Sequence, residues 1–317
     1  MKRKDFIKWG LGSIGAIATG KIIGNHYLKV CPVRILGISN YNTDISKQIA
    51  LAMNEDKLNL KNKSVLLKPN FVEFHEGHPI NTNVELIKNV VEACLKLGAK
   101  QITIGEAAGH RRDPFFSLHK SNILQEFKHN IILKDMNHGD ITKIRNKGNF
   151  TSFKNFYVAS PVIDSDIVIN MPKLKTHHWV GVTLSLKNLF GTLPGIYYGW
   201  PKNLLHINGI QNSILDLSVS VPTDYTIIDG ITGMEGDGPI MGTAKQVGAI
   251  IMSNYPLAAD TTGAKIMGFN PQKIRYLAAA SLLHHGFTQN GKIYEWERPE
   301  KFKKHFACLE KFNHIKS

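Results

Sequence analysis

Asp166–His177 reads DIVINMPKLKTH. Its first five residues hold three apolar β-branched side chains in a row, as in a parallel strand covered on both faces. The strand is read over Asp166–Asn170 and runs into Met171-Pro172. Lys173, Lys175, Thr176 and His177 then crowd the exit. A buried strand that empties into a cationic loop suits an open α/β sheet, whose ligands bind beyond the strand carboxyl ends.

The same grammar recurs outward from this stretch. Val65–Lys68 (VLLK) runs into Pro69-Asn70, Ile102–Gly105 into Glu106-Ala-Ala-Gly109, and Tyr225–Asp229 (YTIID) into the glycine-rich Gly230–Gly242. Val33–Ser39 and Val247–Met252 read as further strands. Between them, Asn83–Leu97 carries Val84, Ile87, Val90, Val91, Cys94 and Leu95 at helical spacing, with Gly98 as its stop. Helices are also expected near Asp44–Asn54, Val182–Leu189, Asn203–Leu217, Ala258–Gly268 and Ile274–His284. Strands alternating with helices predict an α/β fold: a mostly parallel sheet with helices on both faces and right-handed crossovers. An irregular inserted region is expected around 113–161. The domain spans 33–285, with 286–317 a charged, peripheral tail.

Four strand ends nominate the site. A lysine half-buried at Lys68, beside Asn70, is costly without an anion, although its stem can also snorkel to solvent. Lys173, Lys175, Ser185, Lys187 and Asn188 would converge on a phosphate or carboxylate, or on an enolate formed in a reaction. A helix over Val182–Leu189 would put Thr183 and Lys187 on one face. His177 is a candidate proton carrier or metal ligand, against the reading of a satisfied core or surface histidine. Asp229 and Glu235, in the glycine-rich segment, are candidate acids for moving a proton. That segment's acids would otherwise hold a cation or neutralise the lysines structurally. The segment has neither Walker nor dinucleotide spacing. Asp260 is an acid at a helix start and a candidate cap.

The formal charge is +14 over 317 residues. A basic body favours anionic partners, or is simply a solvated surface. Nucleic acid is the weakest partner class, because no known motif or basic–aromatic stripe appears. The three cysteines form no C-x-x-C pair, so no cysteine-ligated iron–sulfur cluster is expected. No histidine spacing identifies a metal site, and cofactors stay unassigned. Within residues 1–24, residues 2–8 read KRKDFIK and continue WGLGSIGAIATG, a basic stretch and a short, weakly apolar run, as in an export signal or anchor. The order Arg3-Lys4-x-Phe6-Ile7-Lys8 resembles a twin-arginine signal with lysine at the second arginine. An amphipathic helix of a cytoplasmic protein is the competing reading. Membrane contact is expected only through this segment.

VLLKPNFV, GAKQITIGEAAG, DIVINMPKLKTH, SLKNLFGTLPG, IIDGITGMEGDGP and PLAADTTGAKIMG, in this order, resemble the domain of unknown function 362 family. The resemblance implies an α/β fold and the location of a site, and leaves the reaction open. Some relatives carry iron–sulfur modules, which this chain's cysteines do not supply. Many resemble substrates of the twin-arginine export machinery, which implies an exported location. The expectation is an exported protein that binds an anionic small molecule or metal–anion complex, an enzyme or not. The alternative is a non-catalytic binding or maturation protein for a cofactor, metal or redox partner.

Overall fold

A computed structural model describes residues 31–109, 113, 115–283 and 293–317. Residues 1–24, read above as an export signal or anchor, lie outside the described residues.

The strands in chain order are β1 (Cys31–Gly37), β2 (Ser64–Pro69), β3 (Gln101–Glu106), β4 (Ile131–Asp135), β5 (Ile141–Arg145), β6 (Asn155–Ala159), β7 (Ile167–Met171), β8 (Lys173–His177), β9 (Gly181–Thr183), β10 (Tyr225–Glu235), β11 (Thr243–Ser253) and β12 (Ile293–Glu295). The main sheet runs β12-β1-β11-β10-β7-β2-β3-β4. From β10 to β4 every pair is parallel; β11 alone runs against both of its neighbours, β1 and β10. The chain is therefore an α/β protein with a mostly parallel sheet.

The continuous apolar runs explain themselves by where successive side chains go. Val65, Leu67, Ile102, Ile104, Ile169 and Ile227 share one core with Ile49 and Met53 of the helix Ser46–Glu55 and with Ile87, Val90 and Val91 of the helix Val84–Lys96. Leu66, Val168, Ile228 and Ile251 point the other way. They pack with Ile214 and Leu217 of the helix Ile210–Ser220, Ala258 and Ala259 of Pro256–Ile266, and Tyr276 and Leu277 of Arg275–Leu283. A period of two places alternate residues on two buried faces, so no polar position is left in the run. Asn83 caps the Val84–Lys96 helix by accepting from Glu85 N at 2.8 Å.

Several expectations change. Val182–Leu189 is not one helix: residues to Thr183 form β9, which pairs antiparallel with β8, only Ser185–Asn188 is α-helical, and Leu189 opens a 3-10 turn. The expected helix Asn203–Leu217 is two, Asn203–Ile207 and Ile210–Ser220, parted at Gly209, whose φ is 92°. The glycine-rich stretch is largely strand, since β10 continues to Glu235 and pairs with β11 down to Thr243. Its glycines serve close backbone approach. A Cβ at Gly230 would stand 2.7 Å from Ala249 O, and one at Gly233 2.9 Å from Leu174 O. Within 113–161, β4 belongs to the main sheet, whereas β5 and β6 form a separate antiparallel pair. Asp216 ties the loop between them to the helix Ile210–Ser220, accepting from Asn146 Nδ2, Phe150 N and Thr151 N. The tail is not peripheral: β12 joins the sheet beside β1, and Phe306 and Ile315 are buried in the core.

Candidate functional site

A cavity of about 330 Å³ opens where β2, β3 and β8 end. Asn70, Phe71 and Val72 follow β2; Glu106 closes β3, with Ala107 and Gly109 after it; Lys175 and His177 come from β8, and Trp179 from the turn beyond. Lys187, Asn188, Phe190 and Gly191 form a second wall, Pro201, Lys202 and His206 a third, and Pro239 and Ile240 reach in from the β10–β11 turn. The volume suits a small organic ligand.

The charges here are mostly cations without counter-charges. Lys175 is 1% exposed, and its Nζ donates to Ile80 O at 2.8 Å and Pro239 O at 3.4 Å. Burial pushes its pKa well below the usual lysine range, and the nearby Lys173 and Lys187 push the same way. Lys202, a residue in the left-handed region at φ 73°, donates to Asn137 Oδ1 at 3.0 Å and Ala108 O at 3.4 Å. Burial pushes it down to about 7, against the pull of Glu106. Lys187 is likewise pushed down to about 7 by burial and by Lys68. Its Nζ stands 3.7 Å from the centre of the Phe190 ring. Among the described residues none of these three lysines makes an ion pair.

Lys68 differs. Its Nζ meets Glu106 Oε2 at 2.7 Å, with both side chains 2% exposed or less, and also donates to Pro69 O. Burial pulls Lys68 down and Glu106 up, against their mutual attraction. Phe71 N donates to the same carboxylate oxygen at 3.1 Å. Gly191 leaves room for the pair: a Cβ there would overlap Glu106 Oε1 and stand 2.6 Å from Lys68 Nζ. Asn188 Nδ2 bridges Asn170 Oδ1 at 2.7 Å and Pro69 O at 3.2 Å, and so joins the ends of β2 and β7.

The histidines are held neutral in different tautomers. His177 Nδ1 accepts from Trp179 N at 3.1 Å, which leaves the proton on Nε2. Burial first, then Lys187, His178 and Lys175, keep its pKa well below the ordinary value. His206 Nδ1 donates to Lys202 O at 3.0 Å, which leaves Nε2 as an acceptor. Its pKa falls to about 4 through burial and Lys187. The His206 ring meets Trp179 at 4.7 Å and Phe190 at 5.8 Å between centroids, so aromatic rings stand beside the lysines.

Of the residues nominated from sequence, the cavity gathers Asn70, Lys175, His177, Lys187 and Asn188. Lys68 sits behind its floor. Lys173 lines a different depression, where its Nζ bonds Asp229 Oδ2 at 2.9 Å and Tyr41 Oη at 2.8 Å. Asp229 also accepts from Tyr41 Oη and Asn83 N, a saturated, buried network rather than a group aimed at this cavity. Ser185 faces Asp260, which accepts from Ser185 N at 2.7 Å and Leu186 N at 3.0 Å. Asp260 thus satisfies the first N–H groups of a neighbouring helix and not of its own. Glu235 pairs with Lys245 and accepts from Ala307 N at 2.8 Å, away from the cavity. Sequence reading missed Glu106, Lys202, Trp179, Phe190 and His206. The strand-end position of GEAAG was the available signal for Glu106; nothing local marks the others.

Among the described residues, no three His, Cys, Asp or Glu side chains gather so as to hold a metal ion. The cysteines are free thiols, two of them buried. No described helix is long and apolar enough to cross a membrane.

Fold and cavity together define an α/β protein with a basic site at its strand ends. The chain belongs to the domain of unknown function 362 family, whose model matches residues 65–265. It is also 32% identical over 133 residues to a thylakoid-associated protein of Synechocystis. That match covers 41% of this chain and 41% of the relative.

Proposed function

We propose that the protein binds an anionic small molecule in the cavity, with Lys175, Lys187 and Lys202 as the basic groups around it. One observation carries this reading: Lys175 is 1% exposed and bonds only backbone carbonyls, among other lysines. A buried amine without a carboxylate is held toward its neutral form, because an unpaired buried cation costs several kcal/mol. A ligand carboxylate or phosphate offsets that cost. Asn70 and Asn188 supply amides beside it, and the neutral His177 and His206 supply one N–H and one lone pair. The site is thereby equipped to orient an anion, with His177 Nε2–H as a hydrogen-bond donor to it and His206 Nε2 as the lone pair that accepts a proton. Asp229 and Glu235 take no part.

Thermal melting with inorganic phosphate or lactate tests the reading. Either anion is expected to raise the melting temperature of the wild type. At a hundred times its dissociation constant the gain is about 2.7 kcal/mol. Failure of both anions to stabilise the protein would count against the site.

The proposal extends to place. The protein acts outside the cytoplasm, carried there by the twin-arginine export machinery. Supporting this are the basic Arg3-Lys4 start with its weakly apolar run, and the thylakoid association in the relative's name. Fractionated cells should hold the protein outside the cytoplasm, and Arg3→Gln with Lys4→Gln should retain it within. Wild-type protein found wholly in the cytoplasm would refute export.

A further inference from the structure

Five lysines stand at or behind the strand ends, and four are tethered. Lys68 bonds Glu106 and Pro69 O, Lys173 bonds Asp229 and Tyr41, Lys175 bonds Ile80 O and Pro239 O, and Lys202 bonds Asn137 and Ala108 O. Lys187 makes no hydrogen bond or ion pair among the described residues. Its Nζ lies 3.7 Å from the centre of the Phe190 ring, on the cavity wall. Lys187 thus differs from the other four in having its Nζ against an aromatic face and not on an oxygen. Resting on the anion-binding reading above, we propose that Lys187 is a nucleophilic amine, which captures the carbonyl of a small 2-oxo acid whose carboxylate is held by Lys175 and Lys202.

The surroundings fit that chemistry. Nucleophilic lysines are those desolvated in an apolar pocket or set beside another cation, and Lys187 has both the ring of Phe190 and the neighbouring Lys68. Burial that brings its pKa to about 7 leaves a substantial neutral fraction near neutral pH. The Nζ lone pair attacks the carbonyl carbon, and the C=O π pair moves to oxygen. Transfer of a proton from nitrogen to that oxygen gives a carbinolamine, and loss of water leaves a C=N bond. One amine and one carbonyl yield one imine and one water, with no change of oxidation state. Both protons of that water come from the amine nitrogen, and the neutral His177 offers its Nε2–H to the same cavity as a hydrogen-bond donor to the oxygen.

Full-length protein is incubated with pyruvate and sodium borohydride, and the intact mass and the modified peptide are then determined. One adduct per chain is expected, adding the mass of pyruvic acid less one oxygen and mapping to Lys187. Saturating lactate, which lacks the carbonyl, should suppress it by competition. Lys187→Arg keeps the charge and should abolish the adduct, while Lys47→Gln on the exposed surface should leave it in place. If the arginine variant fails to fold, the wild-type peptide map decides alone. An adduct spread over exposed lysines, or none at Lys187 while lactate still raises the melting temperature, overturns the amine and leaves the anion site standing. No adduct and no stabilisation by lactate or phosphate overturns both.

Discussion

At Lys187 and Lys202 the ammonium group has left water without gaining a carboxylate, and both pKa values fall to about 7. The unfolded chain holds these protons up to about 10.4. Folding therefore favours the neutral amines. Their contribution to stability is present above the unfolded pKa and is lost as pH falls through about 7. A bound anion reverses the preference and draws protons back. Titrating the protein with phosphate at pH 8, in buffers of different ionisation heat, should show net proton uptake, and affinity should weaken as pH rises above about 7. Proton release on binding would contradict the assignment. This part of the site was half legible. A lysine just past an apolar strand advertises itself, as Lys68, Lys173 and Lys175 did. Lys202 and His206 carry no such local mark, because they reach the cavity from a short helix whose approach is set by tertiary packing.

Elements decide which nominated residues meet. Along β8 side chains alternate, so Lys173 and Lys175 share a face in the local pattern. Yet Lys173 joins Asp229 in one depression while Lys175 lines the other cavity. Spacing alone did not distinguish them. The apolar stretch Val182–Leu189 fits strand or helix by composition, and pairing of β9 with β8 settled it. The helix that follows, Ser185–Asn188, is too short to hold itself and depends on Asp260 for its first N–H groups. Asp260→Ala should strand Ser185 N and Leu186 N, costing on the order of 3 kcal/mol. It should also weaken anion binding, because Lys187 and Asn188 ride on that turn. Urea denaturation and phosphate titration of the variant check both effects. Unchanged stability would mean that the turn is held by something else.

Across the whole molecule, the parallel sheet was legible because strands covered on both faces leave unbroken apolar runs, and the two cores flank them as the pattern required. The β10–β11 hairpin was not, since glycines that admit a crossing backbone look the same in sequence as glycines of a loop. The sheet brings the ends of β2 and β3 together, and β8 follows β7 to the same place, so cations far apart in sequence enclose one space. The formal charge of +14 adds a long-range field that draws anions toward it. The central claim is that this space is built around an absent negative charge, with Lys175 at its base. Calorimetric titration of lactate and of phosphate into the wild type and into Lys175→Met tests it most directly. Saturable, salt-sensitive binding of at least one anion to the wild type, lost in the methionine variant, is the predicted result. Equal binding by the two proteins, or by neither, would contradict the account.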